Sequence, residues 1–409
     1  MKIIIAGAGI GGLAAALALK AAGHDVTVFE AVAQIQPLGV GINLLPHAAQ
    51  VLDGLGLLNR LLSGGVATRE LAYYNSFGQR IWSEPRGRLA GFAAPQISLP
   101  RGTLQGVLLE AALARLGADR VRCGHRLVRF DSDATAATAH FLTADGAETA
   151  IAADILIAAD GIHSRARAQL YPDEGPPVYS GRVLWRATSL ARPFLTGASM
   201  IMAGRRAQKF VCYPIGPVRA DGLQRINWIA ELSVEKGLER EDWNRAGDPA
   251  DFLPRFRGWT FDWLDVPGLI GDAEAIYEFP MVDRDPLPRW SHGRMTLLGD
   301  AAHPMYPIGS NGASQAILDV AALVRALEAE TDPAAALARY EAERLPATSS
   351  IVRANRADGP EQCMQMAHER APDGFADVSD IFAPGELEGI AAAYKVLTGL
   401  RPAASEARA

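Results

Sequence analysis

Cysteine is scarce in this chain. Only Cys123, Cys212 and Cys363 occur in 409 residues. They are far apart and odd in number, which excludes a disulfide framework and offers no metal-ligand spacing. Ordinary thiols in a reducing compartment are expected, and no metal. Basic runs are also missing, and the formal net charge is −6. That balance argues against a nucleic-acid binder. Repeats and long Pro-, Gly- or Ser-rich linkers are absent, so the length suits two interleaved lobes better than beads on a string. No membrane span is expected. The one long uncharged stretch is N-terminal, where Lys2 precedes the 17 residues Ile3 to Leu19. Four of these are glycines, and a strand and an acid follow directly. The stretch therefore reads as a ligand site rather than a signal peptide, and a cytoplasmic location is expected.

That stretch organises the chain. Ile3, Ile4 and Ile5 read as a buried parallel strand. The turn Gly7-Ala8-Gly9-Ile10-Gly11-Gly12 follows, then a helix from Leu13 to about Ala22. A second strand, Asp25 to Phe29, ends in Glu30. Gly7 permits the tight turn, Gly9 lets backbone N–H groups approach a pyrophosphate, and Gly12 lets the helix sit close on the sheet. Phosphates are favoured at the helix start, where N–H groups are unpaired. Glu30, 18 residues past Gly12, suits the hydroxyls of an adenosine ribose. The acid argues for FAD or NAD over NADP. The motif alone leaves the first two open.

Further on, Pro46–Leu62 reads as a helix and residues 69–98 as short strands and turns. Pro100-Arg101 starts another helix with apolar residues at helical spacing. Residues 120–158 return to strands, with a hairpin signal at Asp145-Gly146. Residues 178–282 look antiparallel and rich in tryptophan. Helices are expected over Gly312–Glu330, Pro333–Asn355, 357–370 and 385–399, with a loose tail over the last ten residues. The fold class is α/β. A Rossmann-like dinucleotide-binding domain (1–70, 99–177 and 283–355) interleaves with a smaller antiparallel-sheet substrate domain (71–98 and 178–282). Residues 356–409 supply C-terminal helices and a tail.

Three distant segments share one design, an apolar strand ending in a Gly or Asp pair before a helix: Ile3–Gly12, Asp154–Arg167 and Met295–Gly312. In a parallel sheet such ends share one edge, where ligands bind. One dinucleotide touching all three would lie extended, which favours FAD. At this point the sequence resembles the single-component aromatic hydroxylases that use FAD and a nicotinamide reductant, including the hydroxybenzoate and salicylate hydroxylases. Gly7-x-Gly9-x-x-Gly12 matches their ADP-binding turn. Asp160-Gly161-x-x-Ser164-x-x-Arg167 matches a motif associated with both FAD and the nicotinamide. Gly299-Asp300 matches the motif whose aspartate binds the FAD ribityl or ribose region. The resemblance spans roughly residues 1–355. It further implies that Arg101 reaches the FAD phosphates and flavin side, that Leu127 makes a backbone contact to adenine, and that Gly41-Ile42 lie beside the flavin. One departure stands out. After Pro307 the chain has Ser310 and Ser314 where the family usually has Gly and Asn. This variant looks most like the phenazine hydroxylase branch.

The resemblance implies an FAD-dependent monooxygenase that hydroxylates a small aromatic or N-heteroaromatic substrate with O2 and NADH or NADPH, through a flavin C4a-hydroperoxide. An alternative is an FAD oxidoreductase without oxygen insertion. The helix start at Gly312-Ala313 suits the charge of reduced flavin. Pro304 and Pro307 would stiffen the loop under the ring. A dry wall over the flavin is expected from the second lobe's tryptophans with Met202, Val211 and Ile229. Tyr213 and Tyr306 are the candidates to orient or deprotonate substrate. His303 is expected to be structural, and Arg186 either meets a substrate carboxylate or forms a sheet salt bridge. No second glycine fingerprint is present for the nicotinamide, which fits a family where it docks transiently. The C-terminal helices hint at a homodimer.

Overall fold

The computed structural model of the protein describes residues 1–36, 39–234 and 245–400. The expected C-terminal tail falls almost wholly outside them. A five-stranded parallel sheet lies at the centre. Its order is Met295–Leu297, Ile155–Ala158, Lys2–Ala6, Asp25–Phe29 and Val121–Arg122. The register pairs Ile3 with Ile155 and Leu156 with Met295. Ile3, Ile4, Ile5, Ile155, Leu156 and Ile157 are all buried. These continuous apolar runs suit strands covered on both faces. Helices Ile10–Ala21, Arg101–Leu116 and Gly312–Ala329 pack together. Leu127, Phe130, Ala139 and Phe141, from a three-stranded antiparallel sheet (125–153), join the same core.

The second lobe is built on a seven-stranded sheet. Its order is Ile276–Asp283, Val178–Ala191, Gln224–Ser233, Gln208–Pro214, Ser199–Arg205, Glu70–Tyr74 and Arg80–Pro85. Side chains alternate between faces with period two. Trp185, Trp228 and Phe210 therefore share one face, packed with Phe252 and Phe256 of helix Pro249–Phe256. Tyr73, Met202, Val211 and Ile229 share the other. For all but Trp82, which packs on the inner cluster, this corrects the expectation that the second lobe's tryptophans would wall the site. Trp185, Trp228 and Trp259 belong to the outer core, whereas Met202, Val211 and Ile229 face inward. Cys363, Met364 and Leu387 from the C-terminal region complete the inner cluster.

A small sheet joins Gly41–Leu44 and Val66–Thr68 to Gln96–Pro100, which pairs with both. Residues 96–98 thus pair with Val66–Thr68, and residues 97–100 with Gly41–Leu44, rather than with the large sheet. The helix expected over Pro46–Leu62 is two helices, Pro46–Gly54 and Leu58–Ser63. Gly56, at φ +71°, supplies the left-handed turn between them, a conformation that suits glycine.

The C-terminal segment is fastened to the second lobe by buried charges. Lys209 Nζ lies 2.8 Å from Glu231 and also contacts Glu361. Arg182 bridges Glu231 at 3.1 Å and Asp358 at 2.5 Å. Burial alone would lower the Lys209 pKa, but Glu231 and Glu361 outweigh it and hold the ammonium charged. Removing one partner strands the others without compensation. Lys209→Met is expected to lower the unfolding free energy by about 3–5 kcal/mol, measured by urea denaturation.

Candidate active site

The first turn is shaped by its glycines. Gly7 has φ +108°, and a Cβ there would stand 2.3 Å from the Ala159 carbonyl oxygen. A Cβ on Gly12 would stand 2.0 Å from the Gly7 oxygen. Gly9 differs, because a Cβ there would meet nothing within 4 Å. Its bare backbone borders an open cradle at the start of helix Ile10–Ala21. Glu30 ends the neighbouring strand and turns back to this loop. Its Oε2 accepts the Ala8 N–H at 2.7 Å and its Oε1 the Val32 N–H at 3.0 Å. The acid is therefore held beside the turn. Leu127 sits close by in sequence to His125, whose N–H donates to the Glu30 carbonyl. A bulge follows it: Leu127 faces Phe141 and Arg129 faces His140, so Val128 has no partner opposite and the ladder is locally open.

The second strand end carries Asp160-Gly161. Gly161 turns with φ +79°. Asp160 Oδ2 accepts the Arg165 N–H at 2.7 Å, while its Oδ1 is buried without a hydrogen-bond partner among the described residues. Burial raises the Asp160 pKa, opposed by hydrogen bonds from Ser164 and the Arg165 backbone. Ser164 caps helix Arg165–Leu170 by accepting the Arg167 N–H at 3.0 Å. Arg167 itself is 1% exposed and fully engaged. Its guanidinium pairs with Glu174 and donates to the carbonyls of Ala302 at 2.8 Å and Asp285 at 2.8 Å. In this structure the side chain acts as a clamp between the second and third strand ends. Sequence could not separate a clamp from a cofactor contact, because a motif arginine reads alike in either role.

The third strand end carries Gly299-Asp300. The surface of Asp300 is open, yet the surrounding walls crowd it. Burial pushes its carboxyl pKa up, against the pull of His303 and Arg101. The turn is held from behind. His303 Nε2 lies 2.5 Å from Asp319 Oδ2, Arg344 Nε donates to Asp319 Oδ1 at 2.8 Å, and the Gly299 N–H donates to Asp319 at 3.2 Å. His303 is thus engaged with Asp319 in the core. Arg101 starts its helix with its N–H bonded to the Val40 carbonyl at 2.8 Å. Its guanidinium makes no ion pair among the described residues, although its charge is felt at Asp300 and Arg186. Gly312 and Ala313 open helix Gly312–Ala329 beside Asp300, whose Oδ1 would be 4.0 Å from a Cβ on Gly312. The unusual Ser314 has a local use: its Oγ accepts the Leu45 N–H at 3.0 Å, tying this helix to strand Gly41–Leu44.

The inner face of the large sheet grips that same strand. Asn227 Oδ1 accepts the Gly41 N–H at 2.6 Å, and Arg186 donates to the Gly41 carbonyl at 3.0 Å. A Cβ on Gly41 would lie 2.7 Å from Asn227, so only glycine fits. Ile42 follows, half-buried. Tyr213 stands opposite Asn227 in the ladder. Burial pushes its hydroxyl to about 12, with Arg186 pulling back. Arg186 forms no sheet salt bridge among the described residues; it holds backbone beside Tyr213. Tyr306 also rises to about 12, through burial and the charge of Asp283. It packs with Leu184, Phe279, Met281 and Ile308, apart from Tyr213. Pro307 precedes the short turn Ile308–Ser310. Sequence reasoning missed Asn227. Its place between Ile226 and Trp228, both buried on the opposite face, was the available signal.

The residues fit an extended dinucleotide. The open cradle at Gly9, the lone Asp160 oxygen and Arg101, which has no ion pair among the described residues, all lie near one sheet edge. A family model described as "FAD binding domain" matches residues 1–355. The chain belongs to this family. It is similar to the phenazine 1,6-dicarboxylic acid hydroxylase PhzS of Lysobacter antibioticus, 47% identical over 361 residues, covering 87% of this chain and 89% of that one. The 3-hydroxybenzoate 6-hydroxylase 1 of Aquipseudomonas alcaligenes is 32% identical, covering 86% of each. Among solved structures, Klebsiella pneumoniae HpxO complexed with FAD and uric acid superposes with a TM-score of 0.75 at 26% identity, over 98% of this chain and 95% of that one. FAD is the cofactor of this family member. Among the described residues no helix is long and apolar enough to cross a membrane, and no side-chain cluster could hold a metal.

The raised Asp300 pKa makes a prediction with a definite sign. A carboxyl raised on folding favours the folded state as pH falls, and costs stability once pH climbs through the raised value. Asp300→Asn is expected to raise the apoprotein melting temperature at neutral pH while weakening FAD binding, read by thermal melts and flavin fluorescence. An unchanged FAD affinity would remove Asp300 from the cofactor site.

Proposed function

We propose that the chain is an FAD-dependent monooxygenase that inserts one oxygen atom into an aromatic or N-heteroaromatic small molecule, with O2 and NADH or NADPH as co-substrates. The observation that carries this is the convergence of three strand ends on one edge, to which the inner face of the large sheet is tied through the grip of Asn227 and Arg186 on Gly41. Relatives named as hydroxylases of phenazine 1,6-dicarboxylic acid and 3-hydroxybenzoate support it. Bound FAD supplies the redox and oxygen-activating chemistry.

The chain's own groups then divide the work. Glu30 and the Gly7-Gly9-Gly12 turn hold the adenosine and pyrophosphate, with Leu127 beside the adenine. Arg101 would neutralise phosphate charge, and the Asp160 and Asp300 carboxylates, with the Gly161 backbone beside them, would accept hydrogen bonds from FAD hydroxyls. Gly312 and Ala313 offer backbone N–H groups at a helix start to the negative edge of the ring. Gly41, Ile42 and Pro307 fix the backbone around it. The inward methionine and aliphatic residues exclude water. Tyr213 and Tyr306, with pKa values near 12, keep their protons at neutral pH. They orient substrate as hydrogen-bond donors instead of removing its proton. The free thiols of Cys123, Cys212 and Cys363 support a cytoplasmic site of action. The helices of 356–400 are the candidate surface for a homodimer.

Labelled dioxygen is the test. Turnover of phenazine 1,6-dicarboxylate under 18O2 is expected to place one labelled atom in the product for each NAD(P)H consumed. Oxidised reductant with unlabelled product would favour an FAD oxidoreductase without oxygen insertion.

A further inference from the structure

A small, partly open cavity of about 30 Å³ lies where the inner face of the large sheet meets helix Glu386–Leu397. Leu71, Met200 and Met202 give it an apolar wall, and Gly309 and Ser310, in the turn after Pro307, border it. Its other walls are charged. Glu84 Oε1 lies 2.7 Å from Arg86 Nη2, and Glu84 Oε2 lies 2.5 Å from Lys395 Nζ. The Glu84 and Arg86 side chains are only 7% and 11% exposed. Two cations thus share one carboxylate; the next carboxylate felt at Tyr73, Glu361, is itself paired with Lys209, so one positive charge is left over.

The polar atoms around that charge are incompletely satisfied. Tyr73 Oη, Arg86 Nε and Gln96 Oε1 are buried with no hydrogen-bond partner among the described residues. Glu84 Oε2 faces Lys395 without an aligned hydrogen bond. Each unmade bond of this kind costs about 1–3 kcal/mol, so folding alone does not account for three in one cavity. A water molecule would satisfy some of these atoms but not the charge. A carboxylate accepts several hydrogen bonds and balances one cation. Tyr73 is held protonated by burial, so it can donate. A half rotation of the Gln96 carboxamide presents its N–H edge.

We propose that this cavity is an anion seat for the substrate, in which Arg86 and Lys395 pair with a carboxylate carried on the aromatic ring while Tyr73 and Gln96 hydrogen-bond it. The inference rests on the hydroxylase reading above and names the substrate class for it. The volume suits the substituent and not the ring. The ring would lie against the methionine wall, towards Gly309 and Ser310, and flexible thioethers can yield to it. Lys395 comes from the C-terminal helix, so that helix contributes a binding group.

The test is a titration of the FAD-loaded enzyme, read by perturbation of the flavin absorbance. The probes are phenazine 1,6-dicarboxylate and its neutral dimethyl ester. The wild-type protein is expected to bind the acid at least about tenfold tighter than the ester, as a charge-assisted pair requires. Arg86→Met should weaken the acid by a similar factor and shift the ester less than about twofold. Lys395→Met, on the more exposed partner, should weaken the acid severalfold and keeps the test sound should the first variant fail to fold. Equal binding of acid and ester, undisturbed by either substitution, overturns the anion seat while leaving the hydroxylase reading intact. If neither probe binds and no aromatic is hydroxylated, the hydroxylase reading fails and the seat with it.

Discussion

The pairing of Ile3 with Ile155 and of Leu156 with Met295 underlies the rest of the structure. Residues more than a hundred positions apart become neighbours in one parallel sheet. Because the strands run the same way, their ends emerge on one edge, and that edge receives the Gly7 turn, Asp160, Glu30 and Asp300. A shift of either register would separate these groups. The arrangement is then secured from outside. Arg167 clamps the second and third ends together, and Asp319 holds the third from behind through His303 and the Gly299 N–H. These buried pairs are well hydrogen-bonded, which is the condition under which they fix geometry rather than disturb it.

The second lobe contributes a lid with two distinct faces. Its aromatic bulk lies outside, where Trp185 stacks on Phe252 and Trp228 on Phe210. Its inner face mixes Met202, Val211 and Ile229 with Tyr73, Tyr213 and Trp82, and aims a few polar groups at backbone. Asn227 and Arg186 hold Gly41 from both sides. The lid is thereby registered against the cofactor edge through a strand that belongs to neither large sheet. The charge network from Arg182 and Lys209 to Asp358 and Glu361 fastens the C-terminal helices behind it.

Much of this was legible in the sequence for a physical reason. Buried parallel strands need unbroken apolar runs, and their loops need glycine or an acid at set positions, so Lys2–Glu30, Asp154–Arg167 and Met295–Gly312 announce themselves. Helix starts at Arg101 and Gly312 follow from local chemistry. Face assignment in the large sheet was not legible. Tryptophan is as apolar outside as inside, and only the register sends Trp228 out and Asn227 in. The role of Arg167 was hidden likewise, since its partners Glu174, Asp285 and Ala302 are set by tertiary contact. The helix over residues 46–62 failed at Gly56, where one left-handed residue was enough to divide it. Arg86, Glu84 and Lys395 come from distant segments, and nothing local marks them as neighbours.

The central claim is that one long ligand lies along the sheet edge, its adenosine end at Glu30. The most direct measurement is a fluorescence-quenching titration of the apoprotein with FAD and with ADP, in the wild type and in Glu30→Ala. If a single extended ligand spans the edge, the substitution weakens both by the same factor, since both use the same ribose contact. Undiminished FAD affinity in Glu30→Ala, or a loss confined to ADP, would contradict it.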